Sequence, residues 1–212
     1  MAKLPQRPDP ARLLALEPAL FQLDAGMTLY RVYRRGGPHP SGWRNLRHFG
    51  PVARFDHQGD GEDGAPRLQE RGVIYAAGDI TTAMAESFQH TGRRILRAHH
   101  DPWLVGFELA EPITLLDLTD TFCVRAGASM KLASGPFAFS QRWARGFYEC
   151  YPEVAGLRYP SSMTGRPTVV LYERADLDRT LSAIPLLNRP LRDPLLRDAL
   201  TSVGIEIGYE LV

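Results

Sequence analysis

Gly72-Val-Ile-Tyr75-Ala-Ala-Gly-Asp79-Ile-Thr-Thr-Ala-Met-Ala-Glu86 is the stretch from which the fold is read. Its first half, rich in β-branched and aromatic residues, reads as a strand carrying Tyr75. Gly78-Asp79 marks a turn, and Asp79 is a good N-cap for a helix that runs to about Gln89 and carries Glu86. Further on, Gly156-Leu-Arg-Tyr-Pro-Ser161 sets a serine directly after a strand and a proline, where a tight backbone holds its hydroxyl at a rim.

The pattern continues in both directions as one unit. Residues 27–33 read as a mixed strand holding Arg31, and Arg54 follows in Ala53-Arg-Phe-Asp56. Residues 11–23 look helical, with Pro18 as an interruption, and the Pro-rich residues 1–10 are expected to fray. The stretches Gly36–Pro51 and Gln58–Gly72 read as long loops of the kind that contact or gate a ligand. Trp103–Leu109 and Ile113–Leu118 are predicted strands, and Phe137–Tyr151 a helix stopped by Pro152. Gly156–Tyr159 and Thr168–Glu173 are strands flanking the Ser161 turn. A strand over Leu181–Leu187, a helix from Asp193-Pro194, and Ile205–Tyr209 close the chain.

A chain of 212 residues, 44% hydrophobic and 23% charged, fits a single soluble globular domain. Apolar runs such as Val169-Val-Leu171 are too short to span a membrane, and the N-terminus has no signal-peptide core. Two cysteines, Cys123 and Cys150, are too few for a disulfide framework, so a cytoplasmic protein with reduced thiols is expected. The net charge of +1 gives no general reason to bind nucleic acid. Locally, however, residues 31–54 hold six arginines and no carboxylate, and Asp56–Glu70 reverses the sign. Clustered arginines suit bidentate grip on phosphate, although a solvated basic surface has the same composition.

Each candidate has an ordinary reading when taken alone. Arg31 and Arg54 fit surface ion pairs, Tyr75 a core or rim aromatic, Glu86 a solvated helix flank, and Ser161 a turn. Competing chemistries lack their signatures. There is no H-x-x-x-H or C-x-x-C pair for zinc, no G-x-S-x-G elbow and no phosphate-binding G-x-x-x-x-G-K loop. Taken together, two arginines, a tyrosine, a glutamate and a serine fit a site that grips an anionic nucleotide and stabilises a developing cation.

Leu29-Tyr-Arg31-Val, Arg54-Phe-Asp56, Gly72-Val-Ile-Tyr75-Ala-Ala, Ala83-Met-Ala-Glu86 and Gly156-Leu-Arg-Tyr-Pro-Ser161, in that order, resemble the RES-domain family. Trp143-Ala144 and Val169–Leu171 also fit. The chain departs from the family pattern by an insertion between Arg54 and Tyr75 and by lacking the Gly-Gly-Arg-Trp form. The resemblance implies an α+β fold similar to ADP-ribosyltransferases, in a single domain of mixed sheets with flanking helices. An N-terminal helical extension (1–27), a core (28–175) and a C-terminal extension packed on the same domain (176–212) divide it.

The resemblance further implies a toxin that consumes NAD as substrate, with no cofactor and no metal. Glu86, Arg31 and Ser161 would be catalytic, and Arg31, Arg54, Tyr75, Glu86 and Ser161 would bind NAD. Cleavage of the nicotinamide–ribose bond, by glycohydrolysis or phosphorolysis, would deplete NAD and arrest growth. Glu86 would face the oxocarbenium-like centre, the arginines the phosphates, Tyr75 the nicotinamide, and Ser161 would orient Glu86 or an arginine. A mono-ADP-ribosyltransferase shares the same site. A non-catalytic module binding an anionic ligand or nucleic acid through the arginine-rich segment is the alternative from another class. The implied partner is an antitoxin with a helix-turn-helix part. It would insert a carboxylate-bearing segment toward Arg31 or Arg54, in a cleft between Gly36–Pro51 and Gln58–Gly72. A homo-oligomer is left open, and neither membrane nor direct nucleic-acid binding is expected.

Overall fold

The computed structural model describes residues 7–212. Among the described residues nine strands form one mixed sheet. In chain order the first four are β1 (Leu20–Leu23), β2 (Thr28–Arg34), β3 (Arg47–Gly50) and β4 (Arg67–Ala77). A short β5 (Arg94–Ile95) stands outside that sheet. β6 (Pro102–Glu108), β7 (Ile113–Asp117), β8 (Gly156–Pro160), β9 (Pro167–Tyr172) and β10 (Leu187–Pro190) complete it, and β11 (Glu210–Leu211) pairs with β5. The sheet order is β1-β7-β8-β9-β4-β2-β6-β10, with β3 added on β4. Only β7 and β8 run parallel within it. The helices are α1 (Pro10–Leu14), α2 (Ile80–Phe88), α3 (Phe122–Arg125), α4 (Phe137–Cys150), α5 (Leu177–Thr180) and α6 (Arg197–Ile207). Among the described residues no helix is long and apolar enough to cross a membrane.

Period-2 alternation along β4 distributes its side chains between two cores. Val73 and Tyr75 pack with Phe55, Trp143, Phe147 and Tyr172 beneath α4, and Ile74 and Ala76 pack with Leu29, Tyr33 and Phe107 on the other face. A third cluster, with Met84, Phe88, Leu104 and Leu200, lies under α2 and α6. α4 buries Ser140, Gln141, Trp143, Ala144 and Phe147 on one side, the spacing of an amphipathic helix. α2 starts at Asp79, whose carboxylate accepts from the Thr82 amide at 2.8 Å and the Thr82 hydroxyl at 2.8 Å.

Several elements depart from the sequence reading. The predicted helix over 11–23 is a five-residue α1 followed by β1, because Leu20–Leu23 finds a strand partner in β7. Of the residues expected to fray, 1–6 lie outside the described residues. Gly36–Pro51 contains β3, and Gln58–Gly72 contains the first half of β4. The two stretches are stitched together rather than parted by a cleft. Gln58 donates to the carbonyls of Arg47 (2.9 Å) and Arg71 (2.8 Å), and Gln69 to those of Gly50 (3.1 Å) and Gly59 (2.9 Å). The strand expected at Leu181–Leu187 is instead β10, from Leu187. Leu181 is buried, but Ile184 is 81% and Leu186 61% exposed, so that apolar run is not core. Ile205 and Ile207 lie in α6, which stops at Gly208 in the left-handed region (φ 70°).

Between α4 and the sheet, the buried His57 ring lies 4.2 Å from the Tyr148 ring and 4.2 Å from the Tyr172 ring. Its Nε2 is 3.1 Å from Glu173, which also accepts from the Tyr148 hydroxyl (2.5 Å) and the Gly72 amide (2.9 Å). Burial lowers the His57 pKa, and Glu173 opposes this only in part, so His57 is a neutral donor at pH 7. Burial raises Glu173, but the bonds from His57, Tyr148 and Gly72 outweigh it and hold the carboxyl down to about 2. As pH falls through about 6.5 the unfolded histidine takes up a proton before the folded one does, so stability falls. The Glu173 contribution is complete above about 4.5 and is lost toward 2. The urea midpoint is therefore expected to drop from pH 7 to pH 5, and to drop less in His57→Gln. An equal slope in that variant would remove His57 as the cause.

Candidate functional site

The site is assembled from the ends of four elements. α2 presents Glu86, half-buried, one residue beyond a run of buried positions from Thr81 to Ala85. The turn after β8 presents Ser161, which is 4% exposed. The Ser161 hydroxyl donates to Glu86 Oε1 at 2.5 Å and accepts from the amides of Met163 (3.0 Å) and Thr164 (3.1 Å). A serine whose proton is directed to the glutamate and whose oxygen receives two amides has one orientation, and it fixes the carboxylate in turn. Gln89 donates to Glu86 Oε2 at 3.3 Å.

Arg54 lies on the turn between β3 and β4. Its Nη1 donates to the Gly135 carbonyl, and its guanidinium sits 4.8 Å from the Phe137 ring at the start of α4. Burial pulls its pKa down, while the negative charge of Glu86 and then the phenols of Tyr159 and Tyr75 act in the other direction. Arg54, Glu86, Tyr159 and Tyr75 thus share one electrostatic neighbourhood. Tyr159, two residues before Ser161, packs its ring 4.3 Å from Phe55. Burial and then Glu86 raise its phenol, so it stays protonated.

Tyr75 uses its hydroxyl on the protein itself. It donates to Asp56 Oδ1 at 2.7 Å and accepts from the Phe55 amide at 3.1 Å. Burial, with Asp56 next, raises its pKa well above the ordinary value. Arg31 is placed differently. The pairing of Tyr30 with Ala77 puts Ala77 and Tyr75 on one face of the sheet and Arg31, with Leu29 and Tyr33, on the other. Arg31 Nη1 donates to the Trp43 carbonyl at 3.2 Å. Its Nε is enclosed without a hydrogen-bond partner among the described residues. Burial, partly offset by Tyr33, lowers its pKa to about 10, and the positive Arg47 pushes the same way. Among the described residues no hydrogen bond joins Arg31 to Glu86 or Ser161. The structure therefore draws Arg54, Tyr75, Glu86 and Ser161 together and sets Arg31 on the adjoining face.

Asp56 and Arg47 are the participants that sequence reasoning missed. Asp56 is fully buried, and Arg47 Nη2 bridges both of its oxygens at 2.7 and 2.9 Å. In the sequence Asp56 appears only as the end of the Arg54-Phe-Asp56 run and the start of an acidic loop, and neither feature assigns it a role. A cavity of about 360 Å³ lies beside the Ser161 turn, walled by Thr81, Ala85, Met163, Thr164, Glu206 and Tyr209 rather than by Glu86. Arg166 at its rim is already paired with Asp79 (3.1 Å) and Glu206 (2.6 Å).

A chain of the M.tuberculosis MbcT-MbcA toxin-antitoxin complex is similar in structure, with a TM-score of 0.58 and 16% identity over 91% of this chain and 96% of that one. At that identity the likeness speaks for the fold. Among curated proteins no relative matches. The family model described as the RES domain matches residues 28–191, which take in β2 through β10 and every residue of the site above. That match covers well over half of the sequence, and the chain belongs to the RES domain family.

Proposed function

We propose that this protein is a toxin that cleaves the nicotinamide–ribose bond of NAD, in the cytoplasm, by hydrolysis or phosphorolysis. The observation that carries the reading is the Glu86–Ser161 pair, a half-buried carboxylate oriented by a serine that two backbone amides hold in place. Bond cleavage at the anomeric carbon builds positive charge on the ribose, and a fixed carboxylate beside it lowers that barrier without reorganisation. A carboxylate has about four acceptor positions. Ser161 and Gln89 occupy two, leaving capacity for a ribose hydroxyl. Arg54 donates one N–H to Gly135 and offers the rest of its fork to a diphosphate. The Tyr75 ring supplies an aromatic wall for the nicotinamide, its hydroxyl being engaged elsewhere.

Unrestrained destruction of NAD would stop its own host, which supports pairing with an antitoxin that carries a helix-turn-helix part. With the two long segments joined through β3 and β4, the anchor left for an inhibitory carboxylate is Arg54. The test is product identification by NMR after incubating pure protein with NAD, with and without phosphate. ADP-ribose indicates hydrolysis, a phosphorylated ADP-ribose indicates phosphorolysis, and unchanged NAD in both buffers removes the enzymatic reading. Growth arrest on expression of the wild-type chain, relieved by Glu86→Gln, is expected alongside.

A further inference from the structure

Asp56 accepts five hydrogen bonds from four donor groups, and nothing in the reaction just described uses it. Its Oδ2 accepts from the amides of Val52 (2.6 Å) and Ala53 (2.8 Å), closing the turn that bears Arg54. Its Oδ1 accepts from the Tyr75 hydroxyl, and Arg47 bridges both oxygens. Tyr75 then returns to the same turn by accepting from the Phe55 amide. Gln141 of α4 secures it from outside, donating to the Ala53 carbonyl at 3.0 Å. Residues 52, 53 and 55 are thus tied to Asp56 directly or through Tyr75, and Arg54 is the one side chain of the turn left to project toward Glu86.

A carboxylate buried to 0% exposure requires full pairing, and here the pairing is a shape. We infer that Asp56 is a positioning residue for Arg54, with Arg47 as its counter-charge and the Tyr75 hydroxyl as its brace. This rests on the NAD reading, in which Arg54 holds the diphosphate. Tyr75 therefore acts through its ring on the ligand and through its hydroxyl on the turn. An asparagine at 56 supplies one oxygen where two are needed. Either the Val52 and Ala53 amides or the Tyr75 hydroxyl then faces an NH2 group, and Arg47 loses its opposite charge.

The experiment is a double-mutant cycle with NAD as the probe. Asp56→Asn is expected to raise KM about tenfold and to change kcat less than about threefold, because it displaces a binding group and leaves Glu86 and Ser161 alone. Arg54→Ala should do the same, and Asp56→Asn made on Arg54→Ala should add less than about twofold, since residues acting as a unit are not additive. A purely structural aspartate would cost the same in both backgrounds, and that result would overturn the proposal. Tyr75→Phe, which breaks only the brace, should show the same non-additivity and serves if Asp56→Asn does not fold. A second measurement is independent of NAD. In ligand-free protein the Arg54 Nε–Hε NMR signal should report a rigid side chain that becomes mobile in Asp56→Asn or Tyr75→Phe. If the wild type leaves NAD untouched, the NAD reading fails while this signal still decides the role of Asp56. An Arg54 equally rigid in both variants would overturn that role.

Discussion

Glu86→Gln is expected to lower NAD turnover by about 100-fold or more, the scale for losing one preorganised electrostatic group. Glutamine has the same length, retains an oxygen to accept the Ser161 proton, and is at home in a helix. The substitution therefore subtracts charge with little change of shape. Charge matters most when the ribose becomes cationic, so kcat should carry the loss and KM should move little. Stability should be almost unchanged, because Glu86 is half-buried on α2 and both of its bonding partners are neutral. A glutamine variant within threefold of wild type would show that this carboxylate does not face the reacting carbon.

The second large effect falls on the strand that delivers the serine. Gly156 opens β8 opposite Leu171, where the backbones run unusually close. A Cβ at 156 would lie 2.0 Å from the Val170 carbonyl oxygen and 3.0 Å from the Leu171 Cα. Both are main-chain atoms of a buried strand, so no flexible side chain can move away. Gly156→Ala should cost at least about 3 kcal/mol, the upper range for overpacking a core, read as a lower urea midpoint. Whatever folded protein remains should lose activity too, since a shift of β8 carries Ser161 with it. A midpoint within about 0.5 kcal/mol of wild type, the range of a surface substitution, would contradict the close approach of β8 to β9.

The parts of this molecule legible in its sequence are those governed by neighbours along the chain. Asp79 before Ile80–Phe88 is a local cap, and α2 begins there. Phe137–Cys150 carries its own helical period, and Gly156–Pro160 and Pro167–Tyr172 are marked by a turn between them. The proximity of Glu86 and Ser161 was legible through family resemblance, not periodicity, which puts Glu86 on a solvated flank. β3 escaped because its four residues end at Gly50 before Pro51, both turn signals in a sequence, and pairing with β4 overrides them. Asp56 escaped because its burial depends on Arg47 and on Tyr75, nineteen positions later. Arg31 is expected with Arg54 at the phosphates of one site, but which face of the sheet each occupies depends on long-range pairing, here that of Tyr30 with Ala77, which sets Arg31 on the face opposite Tyr75.

The sheet order has a consequence for how the protein is born. β4, which is made early, is flanked in the sheet by β9, made almost a hundred residues later, and Ser161 reaches Glu86 only on the hairpin of β8 and β9. A ribosome adding about 5–20 residues per second needs roughly 4–17 s to travel from Glu86 to Tyr172. Throughout that interval the emerging polypeptide holds the glutamate without the serine that aims it. Under the proposed NAD-cleaving role, the nascent chain would therefore lack an assembled Glu86–Ser161 pair, and with it the activity, until β8 and β9 have both been made.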